Sequence, residues 1–299
     1  MSTTKAKAPF SVFAPAKVNL ALHITGRRPD GYHALESLVA FASVGDSLAI
    51  APASAFSFSC AGPFADSFSK RESGPDNIVV RAAGALATAL GKDMPAAQIT
   101  LTKNLPLASG IGGGSADAAA TLRGLIQWWA LAPGSVPDLM PLMTALGADV
   151  PVCLASHPAR MEGIGDILKP LSRFPALPVV LVNPLKPCDT ARVFRGYQGP
   201  FRSPAPWPGD FPDSSEFISF LKERHNDLTN TATEIVPEIG SVLAALEENA
   251  PCRLARMSGS GATCFGLFPD QRSAQEAAQA LAARHPEWWV VSGTLAPAA

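Results

Sequence analysis

The sequence predicts an α+β fold, and three observations carry the prediction. Two long apolar, β-branched runs lie close together near the N-terminus, at residues 10–25 and 37–50. Several helical stretches are punctuated by capping residues and glycines. No regular alternation of strand and helix runs along the chain, which argues against a doubly wound parallel sheet. The 299 residues, 47% of them hydrophobic, suffice for one large domain or two of ordinary size. The second half changes character, and a boundary is expected near residues 155 to 175, although composition alone does not fix it.

Taken in order, the first two runs are strands joined by Gly26-Arg-Arg-Pro-Asp-Gly-Tyr-His33, whose turn formers suit a loop. Residues 51–74 mix small residues, Pro and Phe without a period. Asp76 or Asn77 then caps a helix over 78–90, with Gly91 at its end. A strand is expected at 98–103, a loop at 106–114 and an alanine-rich helix at 115–130, with Ser115 as cap and Asp117 in the first turn. Another helix is expected at 136–146, closed by Gly147, before a sharp turn at 148–151. A continuous apolar strand follows at 178–183, and the proline-rich stretch 200–212 reads as an exposed connection. Helices are expected at 215–223, 234–249 and 273–284, and strands at 252–257, 262–268 and 288–292, with a tight turn at 258–261.

Composition removes several classes of function. Charged residues are 16% of the chain and the formal net charge is −1, so no global positive field exists to hold nucleic acid. The five cysteines are scattered, with no Cys-x-x-Cys pair and no zinc-finger spacing, as expected for reduced thiols in a cytoplasmic protein. The first ten residues are polar, and no run approaches the roughly 20 apolar residues of a spanning helix. A membrane association is therefore not expected.

The strongest chemical signal is Pro106-Leu107-Ala108-Ser109-Gly110-Ile111-Gly112-Gly113-Gly114-Ser115, a glycine cluster running into a helix. Residues without Cβ let backbone N–H groups approach a phosphate, and the first helical turn adds free donors and the positive end of its dipole. The segment is neither a Walker A loop nor Gly-x-Gly-x-x-Gly. Taken alone, it also fits a flexible linker.

Three motifs in order, Pro15-Ala-Lys-Val-Asn-Leu20, this glycine loop, and Met257-Ser-Gly-Ser-Gly-Ala262, resemble those of the GHMP small-molecule kinases. The resemblance extends from about residue 10 to 292. It implies two domains, 1–160 and 161–299, with the active site in the cleft between them, ATP as phosphoryl donor and Mg²⁺ carried on its phosphates rather than in a protein cage. Gly26 to His33 and Leu146-Gly-Ala-Asp-Val-Pro151 resemble the branch whose small-molecule substrate is an alcohol bearing cytidine diphosphate. One departure is Ser115-Ala116, where many relatives have two serines.

By the same resemblance, Asp149 is the catalytic base and Lys17 its cationic partner. On the residues alone, Asp149 reads as a turn or cap aspartate and Lys17 as a solvated edge residue; the resemblance reverses both readings. Asn19, two positions along the strand and so on the same face as Lys17, holds the alcohol. Tyr32 and Phe194 sandwich the cytosine, His33 bonds it and Thr190 lies close by. Residues 106–115 wrap the triphosphate, and Asn77 and Lys103 lie towards the adenine; the plain alternatives are a helix cap for Asn77 and a solvated strand end for Lys103. Ser258, Gly259, Ser260 and Gly261 offer backbone donors to the substrate and the transferring phosphate. Another GHMP kinase, of mevalonate or homoserine type, and a non-catalytic nucleotide sensor are the rival expectations.

Overall fold

The computed structural model describes residues 8–68, 74–132, 134–203, 207, 209–211 and 213–296. Packing divides the chain into two compact units, each discontinuous in sequence. The first comprises the stretch ending at Pro15, Gly45–Leu107 and Gly113–Ala155; the second comprises Ala16–Val44, Ala108–Gly112 and the chain from Ser156 onward. The crossing at 155/156 lies at the edge of the expected boundary window. The earlier crossings are not readable that way, because they fall inside single elements. β1 (Phe10–Arg27) and β2 (His33–Pro52) are 18 and 20 residues long, several times a usual strand, and each contributes to both units.

In the first unit the end of β2 pairs antiparallel with β4 (Ala97–Thr102), and β3 (Ser57–Ala61) runs parallel to β4. β3 lies in the stretch read as aperiodic, since its five residues are too short and too rich in serine to show a pattern. Helix α1 (Ile78–Ala89) starts where Asn77 accepts the Val79 N–H, and it buries Val79, Ala82, Ala83 and Leu86. Helix α2 (Gly113–Trp128) begins two residues before the expected cap, so Ser115 lies within the first turn. Its small residues permit close packing: a Cβ on Gly124 would lie 2.5 Å from Ile50 Cδ1. Helix α3 (Met140–Leu146) is shorter than expected, because Asp138 holds the Met140 N–H in a turn and Pro141 opens the helix. Helix α4 (Val150–Ala155) replaces the simple turn expected after Ala148.

In the second unit the strand order is β2, β10 (Trp289–Ala296), β7 (Leu177–Asn183), β9 (Cys264–Leu267), β8 (Leu254–Met257), all antiparallel. β2 also pairs antiparallel with β5 (Ala159–Gly163), which forms a hairpin with β6 (Ile167–Pro170), a hairpin not anticipated from the sequence. The helices are α5 (Thr190–Gly196), α6 (Ser214–Lys222), α7 (Thr229–Ile235), α8 (Glu238–Glu248) and α9 (Gln271–Arg284). The single helix expected at 234–249 is two, because Val236-Pro237 cannot continue the first one. One apolar core unites Leu22, Ile24, Val180, Val182, Leu246, Phe268 and Leu281.

The proline-rich connection is less exposed than expected. Phe211 is 2% exposed and packs on Phe217 and Phe220, with ring centroids 4.6 and 4.7 Å away. The Arg202 N–H donates to the Ile24 carbonyl at 2.8 Å, which ties the start of the segment to β1. Residues 204–206, 208 and 212 lie outside the described residues. Among the described residues, no helix is long and apolar enough to cross a membrane.

Candidate active site

In the second unit, three sequence-distant motifs are joined by backbone and hydroxyl hydrogen bonds. The Lys17 N–H donates to the Ile111 carbonyl at 2.9 Å. The Asn19 N–H donates to Ser258 Oγ at 3.0 Å, and that hydroxyl donates to the Gly110 carbonyl at 3.0 Å. The Thr263 N–H reaches the Ser109 carbonyl at 3.1 Å. Gly110 has φ +74°, and a Cβ there would lie 2.6 Å from the carbonyl oxygens of both Ser258 and Gly261. Only glycine fits that approach.

Lys17 and Asn19 are both buried, at 4% exposure, and the Lys17 side chain lies along Gly112, whose absent Cβ would be 3.2 Å from Lys17 Cβ. The Asn19 amide has a defined orientation. Ser37 Oγ donates its one proton to the Ala21 carbonyl at 2.7 Å, so it only accepts from Asn19 Nδ2, also at 2.7 Å. Asn19 Oδ1 is thereby turned away from Ser37, and it is buried without a hydrogen-bond partner. A buried acceptor of this kind is costly unless a donor arrives.

The 258–261 turn is held by Asn226, which the sequence reading missed, and by Thr190, which it named. Asn226 Nδ2 donates to the carbonyls of Met257 and Gly259, and Thr190 Oγ1 lies 2.8 Å from Ser260 Oγ. The His33 and Phe194 rings have centroids 5.8 Å apart, and Tyr197 meets the His33 ring edge-on at 6.1 Å. Tyr197 follows Phe194 by three residues, a spacing that could have found it. Burial, with Arg27 nearby, holds the His33 imidazole below its ordinary value, so its neutral form is favoured. The Tyr32 side chain is 65% exposed.

In the first unit, α2 presents the N–H groups of its first turn from Gly113 onward. Asn77 is buried and caps α1. Lys103 is not a solvated strand end: it is 1% exposed, with Nζ 2.6 Å from Asp46 Oδ2 and 2.7 Å from Asp117 Oδ2. Asp117 accordingly faces a lysine rather than serving as a first-turn dipole partner. Asp149 is half-buried immediately before α4, and its carbonyl accepts the Cys153 N–H at 3.0 Å. Among the described residues no group of three or more His, Cys, Asp or Glu could hold a metal ion.

Comparison with known proteins agrees along the length of the chain. The family models for the GHMP kinases N terminal domain and the GHMP kinases C terminal region match residues 77–157 and 212–287. The 4-diphosphocytidyl-2-C-methyl-D-erythritol kinase of Paramagnetospirillum magneticum is 49% identical over 286 residues, 96% of this chain and 98% of the relative. The enzyme of the same name from Paracoccus denitrificans is 50% identical over 287 residues, covering 95% and 96%. A crystal structure of a 4-(cytidine 5'-diphospho)-2C-methyl-D-erythritol kinase superposes with a TM-score of 0.77 at 33% identity, covering 97% of this chain and all of that one. A homoserine kinase from Cytophaga hutchinsonii, with a TM-score of 0.65 at 17% identity, shares the fold alone.

Proposed function

The chain belongs to the GHMP kinase family, among the 4-diphosphocytidyl-2-C-methyl-D-erythritol kinases, and from that premise we propose that it transfers the γ-phosphoryl group of MgATP to the 2-hydroxyl of 4-diphosphocytidyl-2-C-methyl-D-erythritol. The enzyme then acts in the non-mevalonate route to isoprenoid precursors. The observation that carries the reading within the molecule is the junction of Lys17, Asn19, Gly110 and Ser258. It places a buried cation and an unpartnered buried acceptor against a glycine backbone. Neither the mevalonate or homoserine alternative nor a silent sensor is favoured by relatives that agree over the whole chain.

In this mechanism the glycine loop and the first turn of α2 hold the phosphates by backbone N–H groups, with Asn77 towards the adenine. The acceptor oxygen attacks the γ-phosphorus while the bond to the bridging oxygen of the departing ADP breaks. The hydroxyl proton passes to Asp149, and Lys17 offsets the charge that develops on the attacking oxygen. Asn19 Oδ1 accepts a hydrogen bond from the alcohol, and the turn at 258–261 offers N–H groups to the substrate. His33, Phe194 and Tyr32 serve the cytosine, with Tyr197 backing His33. Mg²⁺ arrives as part of the nucleotide, on its phosphate oxygens. Five cysteines free of disulfides among the described residues support a cytoplasmic setting.

The test is ADP release from purified protein with MgATP and the cytidylyl alcohol, mevalonate, homoserine or no acceptor. Turnover confined to the cytidylyl alcohol is expected, and turnover confined to another acceptor would overturn the reading. Asp149→Ala should lower kcat by roughly 10²–10⁴ with little change in ATP binding.

A further inference from the structure

The glycine loop begins and ends on one buried ionic cluster. Lys103 at the end of β4 is flanked by Asp46 of β2 and Asp117 of α2 through Oδ2 of each, at 2.6 and 2.7 Å. The other oxygen of Asp46 accepts the N–H groups of Asn104 and Leu105, at 2.6 and 2.9 Å, where the chain enters the loop. At the exit, the Cβ position that Gly113 leaves empty lies 3.1 Å from Lys103 Nζ and 3.7 Å from Asp46 Oδ2. One ammonium group therefore lies under the first residue of α2 while its carboxylate partner holds the last residues before Pro106.

We propose that Lys103 is a positioning residue for the phosphate-holding loop, fixing the spacing of its two ends through Asp46 and Asp117 without itself touching the nucleotide. The inference rests on reading the glycine loop as the triphosphate site. Both available oxygens near Nζ belong to carboxylates, and a side chain 1% exposed has no free reach towards a ligand. The entry and exit of a glycine-rich loop would otherwise be the least constrained part of the site, since glycine has most backbone freedom to lose on binding.

The charge balance of the cluster gives it a second property. Two carboxylates share one ammonium in a dry environment. Asp46 accepts from three donors, whereas Asp117 Oδ1 has no partner. Burial pushes the Asp117 carboxyl up to about 8, with Lys103 opposing and Asp46 adding to the rise. The titratable and charged groups around it are Lys103 of β4, Asp46 of β2 and the Cys60 thiol of β3. α1 and α4, which pack on α2, carry only the exposed Arg81 and the thiol of Cys153. As pH passes about 8, ionisation of Asp117 adds one negative charge to the cluster at the base of the loop.

The experiment uses the full chain and two variants, Lys103→Met/Asp117→Asn and Asp117→Asn, each first shown to unfold cooperatively. For the double variant the KM for MgATP, and the calorimetric Kd for ATP, should rise about tenfold while the KM for the alcohol stays within about twofold. Wild-type KM for MgATP should climb as pH passes about 8, and Asp117→Asn should remain flat over the same range. A folded double variant with wild-type ATP affinity, or one that weakens both substrates in proportion, overturns the positioning role. An alkaline rise that persists in Asp117→Asn overturns the charge argument. A wild-type chain that binds no ATP overturns the underlying functional reading as well, which separates the two failures.

Discussion

The side-chain amide of Asn226 donates to the Gly259 carbonyl at 2.7 Å, and the same nitrogen reaches the Met257 carbonyl at 2.9 Å. Its Oδ1 accepts the Leu228 N–H at 3.0 Å. A turn containing two left-handed glycines, Gly259 and Gly261, is thereby clamped by one residue from a distant loop. Asn226→Ala leaves two carbonyls and one N–H without their partner and should cost about 2–3 kcal/mol. Urea denaturation measures the loss, and unchanged stability would show that the clamp contributes nothing.

Two glycines of the same loop should behave in opposite ways. Gly110 has φ +74° and two carbonyl oxygens 2.6 Å from its missing Cβ, whereas Gly114 has no atom within 4 Å of that position. Gly110→Ala should cost about 3 kcal/mol or more, because backbone and not a flexible side chain blocks it. Gly114→Ala, in the first turn of α2, should gain about 0.5–1 kcal/mol. Melting temperatures of the two variants decide the matter, and similar values would contradict the geometry.

Ser37 should act on substrate through Asn19. Without the Ser37 hydroxyl, the Asn19 amide is free to turn, and Oδ1 loses its fixed direction. Ser37→Ala is expected to raise the KM for the alcohol about fivefold to tenfold while the KM for ATP holds. Steady-state kinetics with each substrate varied in turn provides the check; equal effects on both would deny Ser37 this role.

Acid stability should depend on His23. Its imidazole, 5% exposed, is drawn down to about 4 by burial, while Asp227 opposes and His225, Arg202 and Arg224 add to the lowering. The native state keeps this ring neutral, whereas the unfolded chain protonates it near its ordinary value of 6.5. Native stability is therefore complete above about pH 6.5 and falls as pH drops towards 4. His23→Gln should flatten part of that decline in melting temperature, and parallel curves for variant and wild type would reject the assignment.

How far the sequence reached differs from element to element. α1 was legible because Asn77 and Gly91 bracket an apolar run, and β7 because seven nearly continuous apolar residues leave no other reading. The β5–β6 hairpin and α5 were not legible: each is four to seven residues of mixed polarity, stabilised by a neighbour rather than by local pattern. Among the candidate site residues, the glycine loop stands out through its backbone chemistry, and Lys17 and Asn19 through the family motif in which they lie. Tyr197, Ser37 and Asn226 do not, since a polar or aromatic residue in isolation has no distinguishing pattern.

The sequence by itself determined the fold class, the glycine-rich loop as a candidate phosphate site and the family, because these depend on residue type, periodicity and the order of motifs along the chain. Tertiary structure decided what those residues touch. Lys103 reads as a solvated strand end until β2 and α2 bring Asp46 and Asp117 against it, 57 and 14 residues away in sequence. Ser258 joins Asn19 to Gly110 across 239 and 148 residues. The physical reason is that burial and hydrogen-bond partnership are properties of neighbours in space, and propensity and spacing carry information only over a few residues along the chain.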